Sequence, residues 1–246
     1  MLISEAVNRV QSAYSKGMPS DDSRLSNRHI YSKLRSTRIM VISQTINKKQ
    51  IISQWCYQPI IVNMSSVSKL DCPELVSDTC KVLKSDKPIP EIFTSLNRHL
   101  IQSVTSMDGS KNYGITNWDT IKYNKKGRKY SGSLSEFYIK NGYLYITGQS
   151  VDTKISLTAC FNDPIAAQVY SDGCGKDIVS CTSYLDYNFA TDGKMEEAIV
   201  SMTCEELVQE FHLYSDDRKN NAVDDASGQQ MRRQQSNNRN QYQGDE

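Results

Sequence analysis

Cys174 stands between Gly173 and Gly175, a setting in which a tight loop can present a thiol. A thiol nucleophile needs a base to take its proton and a third group to orient that base. None of the three histidines, His29, His99 and His212, lies near Cys174 in sequence, and none stands in an HxxxH or CxxC context that reads as a zinc ligand. Asp163, Asp172, Asp177 and Asp186 bring acid to the same stretch. Their spacing departs from the D-x-[DN]-x-[DN]-G order that wraps carboxylates around calcium. The loop Lys125-Lys126-Gly127-Arg128-Lys129 is basic but holds a single glycine, whereas a phosphate cradle needs several backbone N–H groups converging at the head of a helix. These patterns supply no catalytic residue, metal site or cofactor site, and the chain reads as a non-enzyme.

The chain does carry separated charge. Its 29 Lys and Arg against 28 Asp and Glu leave a net +1, which argues against a generic nucleic-acid binder. Residues 1–50 nonetheless hold nine bases against three acids, a net +6, while residues 186–217 hold nine acids against Lys194 alone, a net −8. The basic stretch reads either as a solvated helix face or as a contact for an acidic partner or DNA phosphates. Aromatic residues are too sparse among its arginines for a base-stacking platform. A hydrophobic fraction of 38% and a mean hydropathy of −0.57 point to extended or partner-contacting surface. No apolar run approaches the length of a membrane span, so a soluble protein is expected. Seven cysteines without a CxxC pair read as free thiols of a reducing compartment.

The elements that must position these groups are α+β in class: N-terminal helices and a C-terminal helix packed with an antiparallel β-sheet or sandwich, followed by an extended polar tail. One domain is expected over residues 1–213, helical over 1–52, mainly β over 53–190 and helical over 195–213, with a low-complexity tail over 214–246. Ile3, Ala6, Val7, Val10 and Tyr14 form a helical stripe closed by Gly17 and Pro19. Ser20-Asp21-Asp22 offers a cap for a second helix through Leu25, His29, Ile30 and Leu34, and Ile39, Ile42 and Ile46 keep helical spacing beyond it, for two or three N-terminal helices in all. From Trp55 the pattern turns to strands, with a Pro-marked edge at Pro59. Lys87-Pro88-Ile89-Pro90-Glu91-Ile92 is an extended connector, and Leu100 to Thr105 a short strand turned at Asp108-Gly109.

The most legible stretch runs from Phe137 to Pro164. Phe137, Ile139, Tyr143 and Tyr145, then Ile155, Leu157, Ala159 and Phe161, keep the period of strands with one buried face. Asn141-Gly142 between the first two runs is a hairpin signal, and a second reversal is expected over Gly148–Thr153. Asp163-Pro164 ends the sheet, with a Gly- and Ser-containing loop after it. Thr203-Cys204-Glu205-Glu206 has the form of a capping box, which places a helix start at Thr203. The tail, ending QQMRRQQSNNRNQYQGDE, has almost nothing apolar to offset its chain entropy.

Taken together, basic N-terminal helices, the Pro-marked connector, LIQSVTSMDGSKNY, the FYIKNGYLYI hairpin, the ISLTACFNDP strand and an acidic helix before a polar tail resemble the head–tail adaptor, or portal-adjacent neck ring protein, of short-tailed and especially crAss-like bacteriophages. The resemblance covers residues 1–213 as an order of elements, and ISLTACFNDP is its most distinctive phrase. It implies a virion protein of the tail neck, assembled in the host cytoplasm as a ring of about twelve copies beneath the portal protein. Its partners would be the portal, adjacent neck and tail rings, other copies of itself, and DNA passing non-specifically through the channel, with no membrane. Arg24, Arg28, Arg35 and Arg38 with Glu205, Glu206 and Glu210 are the expected subunit or portal contacts, since a head-to-tail ring needs two complementary faces. Arg232, Arg233 and Tyr242 are the expected anchors of the tail, and Lys125, Lys126, Arg128 and Lys129 face DNA or a neighbouring ring. A sequence-independent DNA-binding protein using the basic helices is the alternative.

Overall fold

The computed structural model describes residues 1–15, 25–67, 82–95, 98–117, 135–147, 152–172 and 183–211. Within them lie four helices, α1 (Ile3–Tyr14), α2 (Asn27–Asn47), α3 (Pro164–Asp172) and α4 (Gly193–Phe211). The strands are β1 (Gln58–Ser66), β2 (Val82–Ser85), β3 (Thr94–Ser95), β4 (Arg98–His99), β5 (Ile101–Ser106), β6 (Gly114–Ile115), β7 (Glu136–Lys140), β8 (Tyr143–Thr147) and β9 (Lys154–Ala159). The class is α+β.

Seven strands form one mostly antiparallel sheet in the order β5-β9-β1-β2-β8-β7-β6, and β3 and β4 pair separately. Its two ends are brought together by one piece of chain. The Tyr113 amide donates to the Val104 carbonyl of β5 at 2.9 Å, and the next few residues pair with β7, where the Thr116 amide donates to Phe137 at 2.9 Å. The sheet is thus nearly a barrel. Its interior is apolar from every side: Ile60, Val62 and Met64 from β1, Val104 from β5, Phe137 from β7, Leu144 and Ile146 from β8, and Ile155, Leu157 and Ala159 from β9.

The β7–β8 hairpin turns on Asn141 (φ 54°) and Gly142 (φ 76°), both in the left-handed region that a two-residue type I′ turn requires. Lys140 then pairs with Tyr143, Ile139 with Leu144 and Phe137 with Ile146. Paired residues share a face, so a two-residue turn exchanges parity between the strands. The expectation that Tyr143 and Tyr145 share the face of Phe137 and Ile139 is corrected accordingly. Leu144 and Ile146 point inward, while Tyr145 stacks on Tyr138 on the other face at 5.0 Å between ring centroids.

Pro59 lies where β1 has one ladder partner, since Gln58–Asn63 pairs with β9 and only Met64–Ser66 pairs with β2. Its missing N–H therefore costs no sheet hydrogen bond. The extended connector is docked within the subunit. Ile89 donates its amide to Gly142 at 2.8 Å, Glu91 accepts from Asn162 at 2.9 Å, and Ile89 and Ile92 are buried in the barrel core.

Beside the barrel, α1, α2 and α4 pack on one another through Ile3, Val7, Val10, Ile30, Leu34, Ile199 and Leu207. The second helix starts at Ser26, whose hydroxyl accepts from the His29 amide at 3.2 Å; Ser20-Asp21-Asp22 lies outside the described residues. Ile39, Ile42 and Ile46 belong to that same 21-residue helix rather than to a third one. Two further expectations are corrected. The strand β9 closes at Ala159, with one further bridge at Phe161, and Asp163-Pro164 starts a helix, α3, with Asp at the cap and Pro at the first helical position. And α4 begins at Gly193, so Thr203 is a buried mid-helix residue whose hydroxyl donates to the Ile199 carbonyl at 2.7 Å. A threonine bonded back to its own helix in this way cannot act as a cap. The start of that helix was legible elsewhere, in the Ile199, Thr203, Leu207 spacing that runs on from Asp192-Gly193.

Candidate assembly surfaces

Arg38 lies in the seam between the helices and the barrel and is completely buried. Its Nε donates to the Ala190 carbonyl at 2.8 Å, Nη1 to the Phe161 carbonyl at 2.8 Å, and Nη2 to the Cys56 carbonyl at 3.4 Å. A guanidinium only donates, in a planar fork, and this fork ties α2 to the chain entering β1, leaving β9 and entering α4. Arg38 therefore holds the subunit together and presents no surface to a neighbour. Around it Ile42, Ile52, Cys56, Phe93 and Cys160 complete an apolar seam. Burial pushes the Cys56 thiol up to about 11 and raises that of Cys160, so these thiols stay protonated and inert. Cys56, Cys160 and Cys204 are free.

A second tie lies at the head of α3. The Tyr31 hydroxyl donates to Asp163 at 2.7 Å, the Arg35 guanidinium lies 3.3 Å from the other carboxylate oxygen, and the Ile165 amide donates to the same carboxylate at 3.0 Å. Burial first, then Asp163, raises the Tyr31 hydroxyl far above the ordinary phenol range.

Much of the charge separation in the sequence is satisfied inside the subunit. Arg9 reaches Glu5 and Glu197, each at 3.2 Å. Lys33 reaches Glu210 at 2.9 Å, and His29 stands 3.5 Å from the same carboxylate. Glu205 is exposed and Glu206 half-buried on α4. Among the described cations of residues 1–50, Arg28, Lys48 and Lys49 are exposed and make no ion pair. Arg24, Arg232, Arg233, Tyr242 and the loop of Lys125, Lys126, Arg128 and Lys129 lie outside the described residues, as do Cys174 and His212. His99 contacts the Thr94 hydroxyl at 3.1 Å. Among the described residues no three His, Cys, Asp or Glu side chains converge as metal ligands, and no helix is long and apolar enough to cross a membrane.

The feature that sequence reasoning missed is apolar. Ile51 is 96% and Trp55 74% exposed, directly after the exposed Lys48 and Lys49. The sequence does not mark it, because Ile51 and Trp55 are as apolar as Ile52 and Cys56 and only the packing of the corner decides which pair turns inward.

No curated protein matches the chain. Its sequence does match, over residues 5–226, a family described as phage tail ring protein 2 of the crAss ring type. Because that match spans both the barrel and the helical layer, the chain belongs to the crAss-like phage tail ring protein 2 family, a structural component of the virion.

Proposed function

We propose that this protein forms a closed ring of roughly twelve copies at the head–tail junction, connecting the portal to the tail and lining the conduit through which DNA leaves the head. The observation that carries this reading is membership of a ring family over nearly the whole chain. A rigid subunit fits the role, because Arg38 fixes the helices on the barrel and leaves the outward faces for neighbours. Assembly takes place in the host cytoplasm, with no catalytic step. Contacts to the portal and to other copies fall first to Arg24, Arg28, Glu205, Glu206 and the tail residues Arg232, Arg233 and Tyr242, whereas Arg35 and Glu210, already paired within the subunit, would have to share or exchange their partners. The loop of Lys125, Lys126, Arg128 and Lys129 meets DNA or the next ring.

The ring is preferred to a free-standing DNA-binding module because Arg9, Lys33 and Arg35 are already paired with carboxylates and Arg38 is interior. A module of that kind would show DNA affinity as a monomer, falling steeply with salt. Electron-microscopy class averages of the chain with its portal protein test the ring. Twelve-fold averages are expected, and native mass spectra that hold only monomers when portal is present would overturn the reading.

A further inference from the structure

The corner after α2 is built to be presented. The helix ends in a Schellman closure, with the Lys49 amide donating to Ile46 at 2.8 Å and the Gln50 amide to Thr45 at 3.1 Å. The residue at the turning point of such a closure has a positive φ and is usually glycine; here it is Lys49, at φ 57°. A β-carbon in this region carries a steric cost that glycine avoids, and the site keeps a lysine. Beyond it Ile52 and Cys56 insert into the seam at 9% and 0% exposure, while Ile51 and Trp55 stand outside at 96% and 74%. Trp55 sits within the 3-10 helix Gln54–Cys56, closed by the Cys56 amide on the Ser53 carbonyl at 3.1 Å. The result is an exposed apolar knob preceded in the chain by two exposed lysines. Tryptophan is among the residues that most often dominate interface energy.

A different surface of the subunit has the opposite character. An open groove of about 630 Å³ runs between α1 and α4, with Ala13 and Val200 among the small polar residues Ser4, Asn8 and Ser12 along it and with Glu5, Arg9 and Glu197 at its edge. The two carboxylates share the single guanidinium, at 3.2 Å each, so this edge keeps an excess of negative charge.

We propose that the knob of Ile51 and Trp55 on one copy docks into the α1–α4 groove of the next copy, with Lys48 and Lys49 against Glu5 and Glu197. The contact rests on the ring reading, and it gives that ring its two unlike faces, one offered and one received by each copy. Complementary charge fixes the direction of docking, and the indole supplies the buried anchor.

The test uses the full chain in sedimentation velocity, with thermal melts as a check on folding. Trp55→Ser is expected to melt like the native protein and to raise the concentration needed for assembly by about tenfold or more. The charge variants K48E/K49E and E5K/E197K are each expected to stay disassembled alone and to assemble when mixed one to one, because each then meets a partner of opposite sign. Assembly of both variants alone, as readily as the native chain, would overturn this surface while leaving the ring intact. A mixture that stays disassembled would overturn the pairing of these two surfaces. A native chain that remains monomeric with and without portal protein would overturn the ring reading itself, and the contact with it.

Discussion

The barrel and the helical layer are joined in one subunit but held by different chemistry. Inside the barrel β1, β5, β7, β8 and β9 contribute apolar side chains to one continuous core. Where the helices meet the barrel, a buried arginine hydrogen-bonds three main-chain carbonyls from distant parts of the chain. Apolar packing degrades gradually, since neighbours relax into a small void. A polar junction fails abruptly, because removing the donor strands every acceptor it served. The comparison teaches that the seam is the more brittle half of the structure.

The largest effect should follow from breaking the seam. Arg38→Ala leaves the carbonyls of Ala190, Phe161 and Cys56 without their donor and should cost about 3–5 kcal/mol in urea unfolding. Hydrogen exchange in that variant should accelerate in α2 and α4 before β7 and β8. Arg38→Met keeps most of the volume without the donors; were it as stable as the native chain, the polar character of the seam would be incidental. In the barrel, Ile146→Ala should cost about 3 kcal/mol with the exchange pattern left in its native order.

A smaller change sharpens the same contrast. Tyr31→Phe removes one hydrogen bond to Asp163 and leaves the Arg35 pair in place, so a loss of about 1 kcal/mol is expected from the denaturation midpoint. The smallest effect belongs to the exposed pair of Lys33 and Glu210. The hydrogen bond from Lys33 holds the Glu210 carboxyl below its ordinary value. A depressed carboxylate stabilises above its unfolded pKa, and that stability is lost as pH falls through the folded value. Glu210→Gln should therefore flatten a slight loss of stability in acid, and added salt should mask the difference.

These differences also explain what the sequence revealed. The hairpin was legible because Asn141-Gly142 can satisfy a type I′ turn and because alternation is a local property of a strand. The parity error at Tyr143 and Tyr145 arose from reading each strand alone, without counting through the turn. The helix α1 is legible from its stripe, and the expected span of 195–213 lies close to α4, but Thr203 and Glu206 imitate a capping box in the middle of that helix and point to a start ten residues late. Asp163-Pro164 is ambiguous in sequence, since a proline that cannot join a ladder also fits the first turn of a helix. Arg38 had looked like one more surface cation, since nothing in its neighbours marks the three carbonyls it reaches at positions 56, 161 and 190. The same limit applies to the proposed contacts, where pairing of Arg9, Lys33 and Arg35 within the subunit depends on how helices far apart in sequence pack.

The way the sheet comes round on itself bears on assembly. An open sheet offers rows of unpaired amides and carbonyls to any other copy, which is the usual route to uncontrolled aggregation. Here the segment after β5 spends those groups on β5 and β7 in turn. Among the described residues, both edges are thereby partly withheld from strand-to-strand pairing with another copy, which favours contacts made by side chains.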